Sequence, residues 1–189
     1  MVKGGERPRL AFSFHSRMQV SFHKISMSIL DNESIRRVRS ALTEAGIEAR
    51  IIVLDTTARS AQDAANAIGT ELGSIVKSLV FLVGEQHVMV LVSGDRLCNE
   101  GNLGGLLNLE ARVRRADANT VRTVTGFAIG GVAPVGLTRK LPVIIDAGLQ
   151  RFETVYAAAG HPHCVFATTV VDLATATGGK ISSEIAKEA

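Results

Sequence analysis

Aromatic residues and cysteines are scarce in this sequence. Only 4% of the 189 residues are aromatic, and tryptophan is absent. Because single-stranded nucleic acid is commonly bound by stacking its bases on aromatic rings, a surface of that kind is not expected. The two cysteines, Cys98 and Cys164, form no CxxC pair. They give no sign of a disulfide framework and favour a reducing compartment, the cytoplasm.

Long apolar runs are also missing. No run reaches the roughly 18 residues that a helix needs to cross a bilayer, so we expect no membrane partner. Hydrophobic residues make up 46% of the chain and charged residues 21%, which is typical of a soluble globular protein. No Pro-rich or Ser-rich linker interrupts the chain after residue 27. The sequence therefore predicts one domain over residues 28–189.

Several familiar signatures of enzymatic sites are absent as well. The sequence holds no Gly-x-Ser-x-Gly elbow, which disfavours a serine hydrolase of that kind. The glycines of Gly126–Gly136 do not have the Gly-x-Gly-x-x-Gly spacing of a dinucleotide-binding loop. Gly178-Gly179-Lys180 lacks the first glycine of a P-loop and is followed by isoleucine. That last segment predicts the end of a helix instead.

The net charge of +3 comes from the first 26 residues. They contain five basic residues and one acid, whereas the other 163 residues hold 16 basic and 17 acidic groups. A nucleic-acid partner would therefore meet a local basic patch rather than a broad basic face. We expect residues 1–27 to be a disordered basic extension, with residues 1–26 upstream of a natural start at Met27. A targeting segment is the alternative.

Local patterns predict short helices mixed with strands. Asp31 or Asn32 predicts the N-cap of a helix that ends at Gly46, and Ser60-Ala-Gln-Asp63 resembles a capping box. Strands are predicted at residues 50–54, 76–83, 87–93, 141–145, 154–158 and 164–168, and further helices at 99–108, 118–124 and 171–177. Because helices and strands do not alternate strictly, the mixture indicates an α+β fold with a mixed, largely antiparallel sheet.

The stretch from Gly126 to Gly136 is the most informative segment. Its sequence is Gly-Phe-Ala-Ile-Gly-Gly-Val-Ala-Pro-Val-Gly. Glycine lets the backbone approach a ligand closely, and Pro134 fixes one dihedral angle, so a rigid loop is predicted. A plain turn between strands is the alternative, but surface turns favour Asn, Asp and Ser, whereas this loop is mostly apolar. We interpret it as the lining of a pocket.

Lys77 and two histidines are the polar candidates for chemistry. Lys77 lies at the edge of an otherwise apolar strand. It is either an exposed charge at the end of the strand or an ammonium that binds a phosphate or carbonyl oxygen in a cleft. His161 and His163 would share one face of an extended segment. Either histidine could donate a hydrogen bond beside the glycine loop, or be satisfied by nearby backbone. A zinc site with His87 is disfavoured. Cys164 is predicted to be a small core residue rather than a nucleophile.

These segments together resemble the YbaK/ProX family of aminoacyl-tRNA editing domains. The likeness rests on Lys77 within Ile-Val-Lys-Ser-Leu-Val-Phe, on the loop Gly130-Gly-Val-Ala-Pro134, and on Gly160-His-Pro followed by Ala167-Thr-Thr. It covers about residues 30–180. It implies an α+β domain around a curved, barrel-like mixed sheet, similar to the insertion domain of some bacterial prolyl-tRNA synthetases. It implies neither a metal nor another cofactor.

The resemblance also implies a trans-acting deacylase, which hydrolyses the ester between a wrong amino acid and tRNA, often tRNA for proline. By position, Lys77 would hold the tRNA 3′ end, Gly130 would belong to the loop that binds the substrate, and His161 would lie beside the aminoacyl group. The His-Pro and Thr-Thr residues look more like alanine-type than cysteine-type members. The other substrate-binding candidates are Gly126, Phe127, Ile129, Gly131, Val132, Ala133, Pro134 and Gly160, with Val80 and Leu82 as wall residues beside Phe127 and Ile129.

Ester hydrolysis suits these residues because an aminoacyl ester is already activated. Backbone N–H groups in a fixed loop can face the developing oxyanion, and pocket size can reject the correct amino acid. Two other functions stay open. One is a non-catalytic module on the same fold that binds tRNA or an aminoacyl-tRNA synthetase. The other is a small-molecule hydrolase with a metal at His87, His161 and His163.

Overall fold

The computed structural model describes residues 28–189, so the prediction for residues 1–27 lies outside the described residues. The helices are short: α1 spans Glu33–Glu44, α2 Ala61–Ile68, α3 Leu103–Leu106, α4 Ala118–Thr125 and α5 Val170–Thr177. Segments of 3-10 helix lie at Leu72–Ser74, Glu100–Asn102 and Ala147–Arg151. Within residues 28–189, none of the helices combines the length and the apolar character that crossing a membrane requires.

In the described part of the chain, the strands form a large mixed sheet and a separate two-stranded sheet. They are β1 Ile51–Val53, β2 Ile75–Val83, β3 Gln86–Ser93, β4 Arg96–Cys98, β5 Val113–Arg115, β6 Val143–Asp146, β7 Val155–His161, β8 Cys164–Thr168, β9 Lys180–Ser182 and β10 Ala186–Glu188. The large sheet has the order β1-β8-β7-β2-β3-β6-β9, with β5 also paired to β2, and β4 pairs with β10. Mixed pairing with few short helices confirms the predicted α+β class.

Two helices begin at the capping residues that the sequence predicts. Asn32 is the N-cap of α1, and its side chain accepts a hydrogen bond from Ser34 N at 2.9 Å. Ser60 and Asp63 form a complete capping box at the start of α2, with Ser60 Oγ accepting from Asp63 N at 3.1 Å. Because these side chains satisfy amides that the first helical turn leaves free, they fix where each helix starts.

The β2–β3 hairpin is buried on both faces. One face packs against α1, α4 and α5 in the main core, which includes Ile35, Val38, Val76, Val80, Met89, Leu91, Val121, Val124 and Leu173. The other face forms a second apolar cluster with Phe81, Val83, Val88, Val90, Val92 and Leu103. Alternate residues of a strand point to opposite faces of the sheet. Because both faces of this hairpin are buried, most residues of its strands are apolar, which explains the nearly continuous apolar runs in the sequence.

One edge of β2 changes its partner half-way along the strand. Ile75 and Val76 pair with β7, whereas residues 81–83 pair with β5. Between these two pairings, residues 77–80 have no strand partner on this edge within the described range, although Ala116 N donates to Val80 O at 3.0 Å. The sheet therefore splits beside Lys77.

The sequence predicts the longer elements better than the shortest ones. The predicted hairpin is confirmed, as are the strands at β1, β6, β7 and β8 within a few residues. The helix expected over 99–108 is in fact a 3-10 turn followed by the four-residue α3. β4, β5, β9 and β10 were not predicted, because three residues are too few to show an alternating pattern.

Candidate active site

A cavity of about 400 Å³ opens where the sheet splits. This volume lies within the range of small-molecule binding sites. Lys77 of β2, Gly130 of the glycine loop and His161 at the end of β7 all line the cavity. Three segments that are distant in sequence therefore converge on one place. The predicted residues Val80, Ile129 and Val132 also line it.

The Lys77 side chain is held in place by backbone carbonyl groups. Its Nζ donates a hydrogen bond to Gly94 O at 3.1 Å and a second, shorter one to Arg96 O. Burial lowers the pKa of Lys77, and the negative charges of Asp95 and Asp146 oppose that shift. An ammonium has three donors, so one remains without an acceptor in the described residues. Lys77 is thus a fixed donor at the cavity wall rather than an exposed strand-end charge.

The glycine loop packs directly on the segment that carries His161. Gly130 has a φ of 90°, which side-chain-bearing residues rarely adopt. A Cβ atom on Gly131 would lie 3.0 Å from the backbone of His161. Glycine at position 131 therefore allows an approach that a larger residue would prevent. At the tip of the same loop, the Ile129 side chain is 63% exposed.

The hydrogen bonds of two neighbouring histidines define their tautomers. His163 Nδ1 lies 3.3 Å from Leu54 O, which can only accept, so Nδ1 carries the proton. His163 Nε2 then accepts from Thr57 Oγ1 at 2.7 Å. The backbone N–H of His163 donates to His161 Nδ1 at 3.2 Å. Since Nδ1 of His161 is an acceptor, its neutral ring carries its proton on Nε2.

The electrostatic surroundings keep His161 neutral. Burial of the ring and, to a smaller extent, the neighbouring His163 lower the pKa of His161 below its ordinary value of 6.5. A neutral ring with a proton on Nε2 donates one hydrogen bond and carries no charge. At neutral pH, His161 therefore suits the binding of a carbonyl or hydroxyl oxygen better than the binding of a phosphate.

Seven of the predicted substrate-binding residues lie outside the lining of this cavity: Gly126, Phe127, Gly131, Ala133, Pro134, Gly160 and Leu82. Phe127 is fully buried in the main core, with the Arg37 guanidinium 4.7 Å from its ring centroid. Gly126 is the left-handed C-cap of α4. Leu82 lies opposite His87, near the far end of β2. The structure therefore does not bring these seven residues to the cavity surface.

Other lining residues were not identified from the sequence. Ser78 directly follows Lys77, and its Oγ atom is buried without a hydrogen-bond partner among the described groups. Cys164 is buried, which raises the pKa of its thiol to about 11. The exposed Arg59 and Arg115 lie at the rim. Each is separated in sequence from the glycine loop, so only the fold reveals that they share its cavity.

The histidines do not assemble into a metal site in the described structure. His161 and His163 lie near each other, with ring centroids 5.6 Å apart. His87 pairs with Leu82 at the start of β3. Within residues 28–189, no group of three or more His, Cys, Asp or Glu side chains is placed to hold a metal ion. The structure therefore offers no ligand set for the zinc hypothesis.

Comparison with known proteins assigns the chain to a family. The family model described as "aminoacyl-tRNA editing domain" matches residues 55–176, which include Lys77, Gly130 and His161. Over 156 residues, the chain is 30% identical to the uncharacterised protein YwhH of Bacillus subtilis, a match that covers 82% of this chain and 98% of YwhH. The chain belongs to the aminoacyl-tRNA editing domain family. This confirms the resemblance seen in the sequence.

Other relatives of this editing domain are proline–tRNA ligases. The chain is 33% identical over 98 residues to a proline–tRNA ligase of Lactobacillus helveticus and 40% identical over 93 residues to one of Desulfovibrio desulfuricans. These matches cover 52% and 49% of this chain but only 17% and 16% of the ligases. A solved structure described as a candidate trans-editing enzyme for prolyl-tRNA synthetase matches with a TM-score of 0.76 and 38% identity, over 84% of this chain and 99% of the other.

Proposed function

We propose that this editing domain is a trans-acting deacylase of the cytoplasm. It would hydrolyse the ester that joins a small, wrongly attached amino acid to tRNA, in particular tRNA for proline. The observation that carries the proposal is the convergence of Lys77, Gly130 and His161 on one cavity. The likeness to a candidate trans-editing enzyme and to proline–tRNA ligases supports the choice of tRNA.

The proposed reaction needs only water and fixed donors. Water attacks the ester carbonyl carbon, and a tetrahedral oxyanion forms. The bond to the ribose oxygen then breaks, which releases the amino acid and leaves a hydroxyl on the tRNA that takes the proton lost by the water. Backbone N–H groups of the glycine loop around Gly130 would stabilise the oxyanion, a contribution that is large in a water-poor site. A ribose hydroxyl of the substrate would help to orient the water.

Lys77 and His161 would bind different parts of the substrate. Lys77 lines the cavity, and its ammonium has a third donor beyond the two bound to Gly94 O and Arg96 O, so its positive charge suits a phosphate or sugar oxygen of the tRNA 3′ end. His161 is neutral and donates through Nε2, so it would lie beside the uncharged part of the aminoacyl group. The exposed Arg59 and Arg115 at the rim would add positive charge near the tRNA backbone.

Size would decide which amino acid enters. Val80, Ile129 and Val132 give the cavity an apolar wall near the glycine loop. A pocket that discriminates by shape gains about 1–3 kcal/mol per methylene group, so a small residue such as alanine would be accepted and a bulkier one rejected. An alanine-type substrate is favoured over a cysteine-type one by the His161-Pro162 turn and by Thr168 and Thr169.

A panel of mischarged tRNAs tests the proposal directly. tRNA for proline that carries alanine, serine or cysteine is incubated with the protein, and loss of the ester is followed against buffer alone. We expect alanine to be released fastest and correctly charged prolyl-tRNA to survive. The proposal fails if no mischarged tRNA loses its amino acid faster than in buffer. Retained tRNA binding without ester loss would instead favour a non-catalytic tRNA-binding or synthetase-binding module.

A further inference from the structure

The turn between β3 and β4, residues 93–96, is the part of the fold that holds Lys77. Two of its carbonyl groups, those of Gly94 and Arg96, accept the hydrogen bonds of the Lys77 ammonium. A lysine side chain has a flexible four-carbon stem, and it loses rotamer entropy when its ammonium is fixed. The position of this turn therefore determines where the ammonium lies before any substrate arrives.

A buried ion pair anchors both ends of the turn. Arg96 Nη1 donates to Asp146 Oδ1 at 2.7 Å, and the Asp146 carboxylate is fully buried. Its other oxygen, Oδ2, accepts from Ser93 N at 3.2 Å, and Oδ1 also accepts from Gly148 N at 2.8 Å. Asp146 therefore binds the first and the last residue of the turn at once.

A second ion pair holds the middle of the turn. Arg151 Nη2 lies 2.8 Å and 2.9 Å from the two carboxylate oxygens of Asp95, and it donates to Ser93 Oγ at 3.0 Å. Arg151 Nε donates to Gly148 O at 2.7 Å. One ion pair thus connects the turn to the short helical segment Ala147–Arg151, and the other connects it to Asp146, the N-cap residue of that segment. The arginine lowers the pKa of Asp95, so this carboxylate is charged at neutral pH.

We propose that Asp95 and Asp146 are positioning residues. Asp95 acts through Arg151, and Asp146 acts through Arg96. Together the two ion pairs fix the β3–β4 turn, whose carbonyl groups hold the Lys77 ammonium at the cavity wall. Neither aspartate lines the cavity itself. Their effect on turnover rests on the deacylase function proposed above. Fixing a reacting or binding group in advance removes an entropic cost that the reaction would otherwise meet.

The test compares Asp95→Ala and Asp146→Asn with a matched control, Glu188→Ala. Glu188 Oε1 lies 3.5 Å from Arg96 Nε, but its side chain is 86% exposed, so the control removes a solvent-exposed carboxylate near the same arginine and leaves the partners Asp95 and Asp146 in place. A displaced catalytic group commonly costs up to about 100-fold in rate, and we expect kcat/KM for mischarged tRNA to fall about 10- to 100-fold in Asp95→Ala. The control should stay within about twofold of the wild type.

A double-mutant cycle separates positioning from simple loss of stability. In the Lys77→Met background, Asp95→Ala should change kcat/KM by less than about twofold, because the group that it positions is already gone. Equal effects of Asp95→Ala in both backgrounds would overturn the proposal. Unfolding midpoints are measured for every variant, and if Asp146→Asn does not fold, the Asp95→Ala cycle alone decides.

A second readout does not depend on catalysis. With ¹⁵N-labelled lysine, the Lys77 ammonium signal is assigned by its loss in Lys77→Met, and its proton exchange with water is measured. We expect slow exchange in the wild type and in Glu188→Ala, and faster exchange in Asp95→Ala. Unchanged exchange in Asp95→Ala would refute the positioning role. If the wild type hydrolyses no ester, the proposed function fails while this measurement still decides the role of the aspartates.

Discussion

Replacement of Lys77 by methionine is the most direct perturbation of the proposed site. Methionine keeps most of the apolar stem but removes the ammonium, so the cavity loses its fixed positive donor. A hydrogen bond to a charged group contributes about 1.5–3 kcal/mol. At about 1.4 kcal/mol per tenfold change in rate, the loss predicts a fall in kcat/KM of about 10- to 150-fold.

The same change should affect stability much less than activity. Burial lowers the pKa of Lys77, which means that the folded protein disfavours the charge that methionine removes. The two carbonyl groups left behind belong to the partly exposed Gly94 and Arg96, so water can replace part of the lost hydrogen bonds. We therefore expect the free energy of unfolding to change by no more than about 1 kcal/mol.

The assay follows release of alanine from mischarged tRNA under single-turnover conditions, together with denaturant unfolding of each variant. Lys140→Met is the matched control, because Lys140 is exposed and lies outside the cavity lining. It removes the same charge and should leave kcat/KM within about twofold of the wild type. A folded Lys77→Met protein with wild-type kcat/KM would refute the role assigned to the ammonium.

Two further predictions concern pH and covalent chemistry. The pKa of His161 lies below 6.5, so kcat/KM should stay level as pH falls to 6.5 and decline only at more acidic pH, where the ring gains a proton. The pKa of Lys77 lies below 10.5, so kcat/KM should also decline on the alkaline side, where the ammonium loses its proton. Profiles corrected for spontaneous hydrolysis check this, and an acidic limb above pH 6.5 would contradict it. With a thiol pKa of about 11, Cys164 is about one part in ten thousand thiolate at pH 7, so Cys164→Ala should stay active and iodoacetamide should not inactivate the wild type. Loss of activity in a folded Cys164→Ala protein would argue for a covalent step.

Local chemistry explains what the sequence predicts well. The spacing of Ile35, Val38 and Leu42 leaves one apolar face for α1, and all three residues are buried. The capping box at Ser60 needs only residues three positions apart, so it is visible without the fold. Likewise, the apolar composition of the glycine loop predicts contact with a cavity, which the positions of Gly130 and Val132 fit.

Contacts between distant segments explain what the sequence does not predict. β5 is a three-residue strand with two arginines, Arg114 and Arg115, and no local pattern marks it as a partner of β2. Its pairing nevertheless creates one side of the split in the sheet. Phe127 illustrates the opposite case, a residue that the sequence assigns to the cavity but the fold does not. Its place within the loop suggests a cavity wall, whereas tertiary packing buries its ring in the core.

The lysine of the cavity illustrates why such a site needs the whole fold. An ammonium on a buried strand loses solvation, which lowers its pKa, and opposite charges close by oppose that shift. Asp95 and Asp146 have that effect on Lys77, and each is also paired with an arginine. The carbonyl groups that hold Nζ lie 17 and 19 positions along the chain, and Asp146 lies a further 50 positions beyond Arg96. Because the balance of charge is set by residues so far apart, the motif around Lys77 identifies the lysine, while the folded sheet determines what the lysine can bind.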